Sequence, residues 1–504
     1  MKIYFTLSLL VGVFNLIQAQ HEGDVWLMGY SSGILPSSPA EKYGLIEFNF
    51  AKQPYPKLER NLTDYIDPEE NRVSICDTNH NIIVFYDGSS LFNKNYKFLQ
   101  GGEKLNSNLS IYKLMDERID QAGILLPFPG QKFKYILLHS QSEYFNVDKP
   151  YPDFGTMRIF MSIIDMEKDG NLGEVISKKK IVIADTLTMG QLAAVKHANG
   201  RDWWVISQEL YTNRFYKILV DSEGAHVHST QRIGTNISIG DGQAVFSPNG
   251  KIYANLNGDR GEVYDFDRCT GELSNFRSIS QPDNDVLAVG IAISPNSRFL
   301  YAPLYANLYQ FDLYASDLEG TKTLISTWDG YKNEFGQTSH FNKAQLAPNG
   351  KIYITCAGAI EFLHVINEPN KKGIACDFVQ RGLELPSYHS YGVPNHPNFA
   401  LGALKGSPCD TLHSIAVKEK ATSLQATLFP NPTSDQVTIK WQNDEGVACE
   451  ITIVDAVGRI IQRQESHASS LIFDTSSWAN GLYYVQIVEE KGRKKAFLKM
   501  AKSN

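Results

Sequence analysis

Residues 244–267, AVFSPNGKIYANLNGDRGEVYDFD, read as two short apolar strands joined by a Pro-Asn-Gly turn. Pro248 fixes φ, Gly250 accepts a positive φ, and Ile252 and Tyr253 begin the second strand. The pattern returns as IAISPNSRFLYAPLYANLYQFDL from Ile291 and AQLAPNGKIYITCAGAIEFLHVI from Ala344, with Ser247, Ser294 and Ala347 spaced 47 and 53 residues apart. A period near 50 built of short alternating strands predicts the blades of a β-propeller and not a helical solenoid. Ser297 stands in place of the glycine in the second copy, which predicts a turn of a different type there.

A fourth copy lies upstream. In LAAVKHANGRDWWVISQ, Leu192 to Val195 is the first strand, HANGRD the turn and WWVIS the second strand. His197, Arg201 and Asp202 are then turn residues and not an acid/base constellation, and Trp203 and Trp204 face opposite sides of one strand. Looser versions begin at Val73 (VSICDTNHNIIVFYDGSSLFN) and Ile124 (ILLPFPGQKFKYILLHS), and a hairpin follows with its turn at Asp169-Gly170. DVWLMGY and GLIEFNF at the front, with GVPNHPNF (392–399) at the back, supply the strands expected to close the ring. The expected fold is all-β: a propeller of about seven blades, with six or eight open, followed by a small Ig-like β-sandwich.

Composition agrees with strands and tight turns: 25 Tyr, 26 Phe, 38 Gly and 21 Pro in 504 residues. The net charge of −7 and the lack of a basic block argue against nucleic acid as a partner. Residues 1–19 read as a signal peptide, with Lys2, an apolar run from Ile3 to Ile17, and Ala19 before Gln20. No later segment is apolar enough to span a membrane. Six cysteines in an exported chain predict one or two disulfides, with the pairing left open. No metal site and no cofactor are expected. There is no CxxC pair, HExxH, GxSxG or phosphate-cradling GxxxxGK[ST] motif, and the acidic run Asp165, Glu167, Asp169 lacks the twelfth-position Glu of a calcium loop, where Ile176 stands.

After Gly402, residues 403–425 read as a linker, and residues 426–504 form a second strand-rich unit. The propeller is then 20–402. Val437, Ile439 and Trp441 alternate, as do Ile451 with Ile453 and Val485 with Ile487. LFPNPTSDQVTIKW, ITIVDAVGRIIQR, FDTSSWANGLYYVQI and KKAFLKM resemble the type A C-terminal sorting domain of the type IX secretion system of Bacteroidetes. The residues in the family's order are Pro430, Asn431, Pro432, Asp455, Gly458, Arg459, Gly481, Tyr483 and Lys499. The resemblance implies recognition by the type IX secretion machinery, export across the outer membrane, and attachment to surface lipopolysaccharide or release. More loosely, HANGRDWW, SPNGKIY, FDRCTGEL and GVPNHPNF are similar to phrases in repeat-containing secreted proteins of the same bacteria, whose activity is generally unassigned. His80, where those proteins often have glycine, implies a locally altered turn.

The function expected is binding of a glycan or protein partner at the loops around the propeller axis, without catalysis. Gln191, Asp241, Gln243, His340 and Asn342 stand at blade starts and are the candidate ligand-binding residues. The alternative is a polysaccharide hydrolase or lyase at the channel, for which Asp241 and His340 are the candidate acid and base.

Overall fold

The computed structural model describes residues 21–503 apart from 31–42, 52–54, 62–65, 67–71, 107–118, 150–152, 238–240, 258–259, 281–289, 390, 411–421, 443–446, 457–458 and 490–493. The expected start at Gln20, the signal peptide and Gly458 lie outside the described residues. The chain divides into two compact units, residues 1–410 and 411–504.

Among the described residues the first unit holds seven antiparallel sheets in chain order, each a blade. Blades 1 and 2 have three strands: Val25–Tyr30, Gly44–Asn49 and Lys57–Asn61, then Val73–Cys76, Ile82–Tyr86 and Leu91–Asn93. Blades 3 to 7 have four, beginning respectively at Gly123–Pro127, Ala193–Lys196, Gly242–Phe246, Ala292–Ile293 and Phe341–Leu346. The first strand of each of these is buried, whereas outer strands such as Gly224–Arg232 alternate between covered and exposed positions. First strands therefore line the axis.

The same short turn ends the first strand of five blades. The amides of His80, Gly200, Gly250, Ser297 and Gly350 donate to the carbonyls of Asp77, His197, Ser247, Ser294 and Ala347, three residues earlier, at 2.8–3.0 Å. All five donors have positive φ, 60–78°. Ser297 (φ 61°) thus makes the same turn as its glycine counterparts, contrary to the altered turn expected from its side chain. In blade 4, Asp202 accepts from Asn199 Nδ2 at 2.6 Å and from Arg201 Nε at 2.6 Å, so these residues brace the turn as read. Trp203 and Trp204 enter two different apolar layers, between blades 3 and 4 and between blades 4 and 5.

Alternation also closes the ring. From the strand Val25–Tyr30, Trp26 and Met28 pack with Tyr353, Leu363, Val365 and Leu385 of blade 7, while Val25 and Leu27 pack with Cys76, Ile82, Phe85 and Phe92 of blade 2. The segment 392–399, expected as a closing strand, forms none. Pro394 and Pro397 have no N–H to give a ladder. Instead it runs along the axis: Asn395 N donates to Arg72 O, His396 Nε2 accepts from Ser74 N, and Asn398 Nδ2 donates to Pro248 O. The Asn395 amide donates to the carbonyls of Gly123 and Leu192 at 2.9 and 2.8 Å, so residues of blades 2 to 5 are tied to one central segment.

Residues 403–410 pack on the propeller. Leu404 N donates to Ala198 O, and Cys409 pairs with Cys269 in a disulfide that spans 140 residues. At the other side of the connection, Thr422–Ser423 already pairs with Lys494–Lys502. The second unit is a sandwich of a five-stranded and a three-stranded sheet over a core that includes Val437, Ile439, Trp441, Ile451, Ile453, Val485, Ile487 and Met500. Its motif residues hold turns and edges. Asn431 donates to Lys499 O and accepts from Ala501 N, Arg459 Nε pairs with Asp455 at 3.0 Å, and Tyr483 OH donates to Ala479 O.

Candidate functional site

The axial strands start at one end of the propeller, and the polar residues at blade starts gather there. Lys343, 5% exposed, donates from Nζ to Gly242 O at 3.0 Å and lies 3.6 Å from Asp120 and 3.9 Å from Asp241. One lysine therefore neutralises part of a two-carboxylate cluster. Burial pushes the Asp120 carboxyl above its ordinary range and Asp241 adds to this, while Lys343 opposes both. The Asp241 side chain, 54% exposed, is the open member of the cluster.

His340, just before the first strand of blade 7, has partners of its own. Its ring lies between Tyr305 and Trp328, with centroids 3.8 and 3.7 Å away, and its Nδ1 is 2.7 Å from Thr338 Oγ1. The structure thus gives Asp241 and His340 separate partners. The loop 328–340 that carries Trp328 also presents Tyr331, under the Arg381 guanidinium at 4.4 Å, and Phe335, 41% exposed.

The remaining candidates are struts. Gln243 is fully buried: its Oε1 accepts from Ile291 N and Ala344 N, and its Nε2 donates to Ala344 O. Gln121 treats Ala244 in the same way, accepting from its N and donating to its O. A side-chain amide can present an N–H and a C=O side by side, as a peptide does, so each glutamine replaces a strand partner where converging strands cannot pair. Gln191 is buried and donates to Asn257 Oδ1 at 2.8 Å, and Asn342 is buried with its carbonyl against Gly290. Asp120, Lys343 and Trp328 escaped the sequence reading. Asp120 precedes a blade whose turn departs from the repeat, and nothing in the spacing of 120, 241 and 343 announces a cluster.

Residues 427–499 match the family model of the secretion system C-terminal sorting domain. The C-terminal unit is a type IX sorting domain, and the chain is a type IX-secreted β-propeller protein directed to the cell surface or released. Among the described residues no helix is long and apolar enough to cross a membrane. No curated protein matches the chain. Similar solved structures include a protein from Bacteroides uniformis put forward as a 6-phosphogluconolactonase (12% identity, TM-score 0.43, 73% of this chain and 98% of that one). Others are the Dos1 propeller (10%, 0.40, 76% and 90%) and PorZ, a surface component of the type IX secretion system of Porphyromonas gingivalis (11%, 0.30, 91% and 73%). These likenesses are weak, and the propeller assignment stands on the strand topology.

Proposed function

We propose that the exported propeller is a binding module for a glycan or protein, with its site at the end where the axial strands begin. What supports this reading most is the pairing pattern there. The two carboxylates share Lys343 and the His340 ring is stacked between aromatics, whereas Phe335 and Asp241 are presented outward. An open ring and a hydrogen-bonding carboxylate are groups that suit a sugar face or a partner's polar loop. The sorting domain delivers the propeller to the surface, and attachment there is proposed to be to lipopolysaccharide of a Bacteroidetes outer membrane.

A glycan and protein binding screen of the secreted chain, run beside turnover assays on the same glycans, tests the reading. Phe335→Ala and Asp241→Ala are expected to weaken the captured ligand by about tenfold or more, the loss of a good interface anchor. One observation favours a second reading, a hydrolase or lyase: Asp120, raised by burial, shares a lysine with the open carboxylate Asp241, so two carboxyl groups in unlike surroundings face one cation. Turnover that Asp120→Asn abolishes would establish it and end the binding proposal.

A further inference from the structure

At the opposite end of the axial strands, three side chains converge that the binding site does not use. His21 Nδ1 lies 2.7 Å from Asp24 Oδ2, and His80 Nδ1 lies 3.0 Å from the same oxygen. The two imidazole rings meet edge to face with centroids 4.5 Å apart, and one ligand atom from each of the three residues falls within 4.8 Å of the others. Only the His21 contact has hydrogen-bond geometry. His80 Nδ1 is buried without a hydrogen-bond partner, although it points at the carboxylate.

The backbone supplies a second, independent observation. His80 occupies the left-handed position of the repeated turn, at φ 60°, where the equivalent residues are Gly200, Gly250, Gly350 and the small Ser297. Histidine is the one ring-bearing, metal-ligating residue at this position of the repeat, and the turn fixes its backbone so that the ring is held over Asp24. The other two residues are also fixed. Asp24 O accepts from Phe50 N at 2.9 Å, His21 O accepts from Cys76 Sγ at 2.6 Å, and His80 O accepts from Asn49 Nδ2 at 3.2 Å.

We infer that His21, Asp24 and His80 form a binding site for a divalent transition-metal ion of the zinc class. Two imidazole nitrogens and one carboxylate oxygen are a donor set of the borderline kind such ions prefer. Bonds of about 2.0–2.2 Å place tetrahedral ligand atoms roughly 3.4 Å apart, so an outward shift of about half an ångström seats the ion. The three side chains are 29%, 20% and 24% exposed, which leaves the fourth position to water or to a ligand from outside. The ion would clip the segment before blade 1 to the turn of blade 2.

The test uses the secreted chain without a histidine tag, stripped with chelator and titrated with Co2+ and then Zn2+. One equivalent of Co2+ is expected to give visible d–d absorption that Zn2+ displaces, and excess Zn2+ to raise the melting temperature. His80→Gly should melt, metal-free, no lower than the parent, because it restores the residue that the turn prefers. Its metal affinity should fall roughly 100-fold, at least the loss that second-shell changes bring. Asp24→Asn should lose the Co2+ spectrum as well, and it carries the test if His80→Gly does not fold. A parent protein without stoichiometric binding, or a His80→Gly or Asp24→Asn protein that binds as the parent does, would overturn the assignment.

Discussion

Replacing Asn395 probes the axial segment most directly. Its side chain is buried, donates to the carbonyls of Gly123 and Leu192, and accepts from Gln121 Nε2 at 3.2 Å. Asn395→Ala leaves two buried carbonyls without donors. Gln121 keeps its second bond to Ala244 O, so its loss is partial. At about 1–3 kcal/mol for each orphaned group, the substitution should cost about 3–4 kcal/mol. Asn395→Asp is nearly isosteric and should cost more at neutral pH. It turns an acceptor oxygen toward two carbonyls and buries a charge. Its carboxyl should therefore be raised in the folded state, so the extra loss is complete above the folded pKa and is relieved as pH falls from there toward the unfolded value of about 3.9. Urea denaturation followed by tryptophan fluorescence measures both, since Trp203 packs 5.8 Å from Phe399 on the same segment. An alanine variant within about 1 kcal/mol of the parent, which is the worth of one ordinary hydrogen bond, would refute the axial tie. So would an aspartate variant no weaker than alanine at pH 7.

Asp202→Ala removes the acceptor of Asn199 and Arg201 in the blade 4 turn and should cost about 2 kcal/mol without altering ligand binding; lost binding with an unchanged melting curve would contradict the brace. Burial lowers His139 and His364 to about 3, so both are neutral in the fold while the unfolded chain takes up protons below about pH 6.5. Stability should be complete above that pH and fall by about 3 kcal/mol per unit near pH 5, with His396, lowered to about 4, adding to the loss; a flat denaturation midpoint between pH 7 and 5 would refute it. Reducing Cys269–Cys409 frees a loop of 140 residues and should lower stability by at most about 5 kcal/mol on the chain-entropy account, read as a lower urea midpoint in reductant; an unchanged midpoint would show that the bond constrains nothing.

The repeated turn was legible because its chemistry is local: a proline, an asparagine and a residue at positive φ within four positions. Even there the side chain misled twice. Ser297 makes the same turn as glycine, and His80 makes it too, with its ring engaged by residues at 21 and 24. The alternation of DVWLMGY marked a strand with two buried faces, and those faces do meet blades 7 and 2. GVPNHPNF was placed near the front strands correctly but in the wrong conformation, although its two prolines carried the physical reason. At the site, position in the repeat located Gln191 and Gln243 but not their partners. Which groups a buried amide or carboxylate meets depends on strands 50 to 220 residues away, and a single sequence holds no record of that distance.

The filled axis limits where this protein can act. Asn395, Gln121 and Gln243 bind the inner strands to one another, and Arg268 adds a fourth tie by donating to Lys196 O and Gly402 O. Such buried networks are costly when broken and stiff when complete. A ligand therefore meets one end of the propeller or the other and does not thread through it. The two ends are chemically unlike. One offers carboxylates around a lysine, and the other offers proline-rich turns, the imidazole–carboxylate cluster and a cleft of about 380 Å3 lined by Pro248, Pro295, Pro348 and Phe399. The chain also leaves at the second end, where Leu404 bonds to the blade 4 turn.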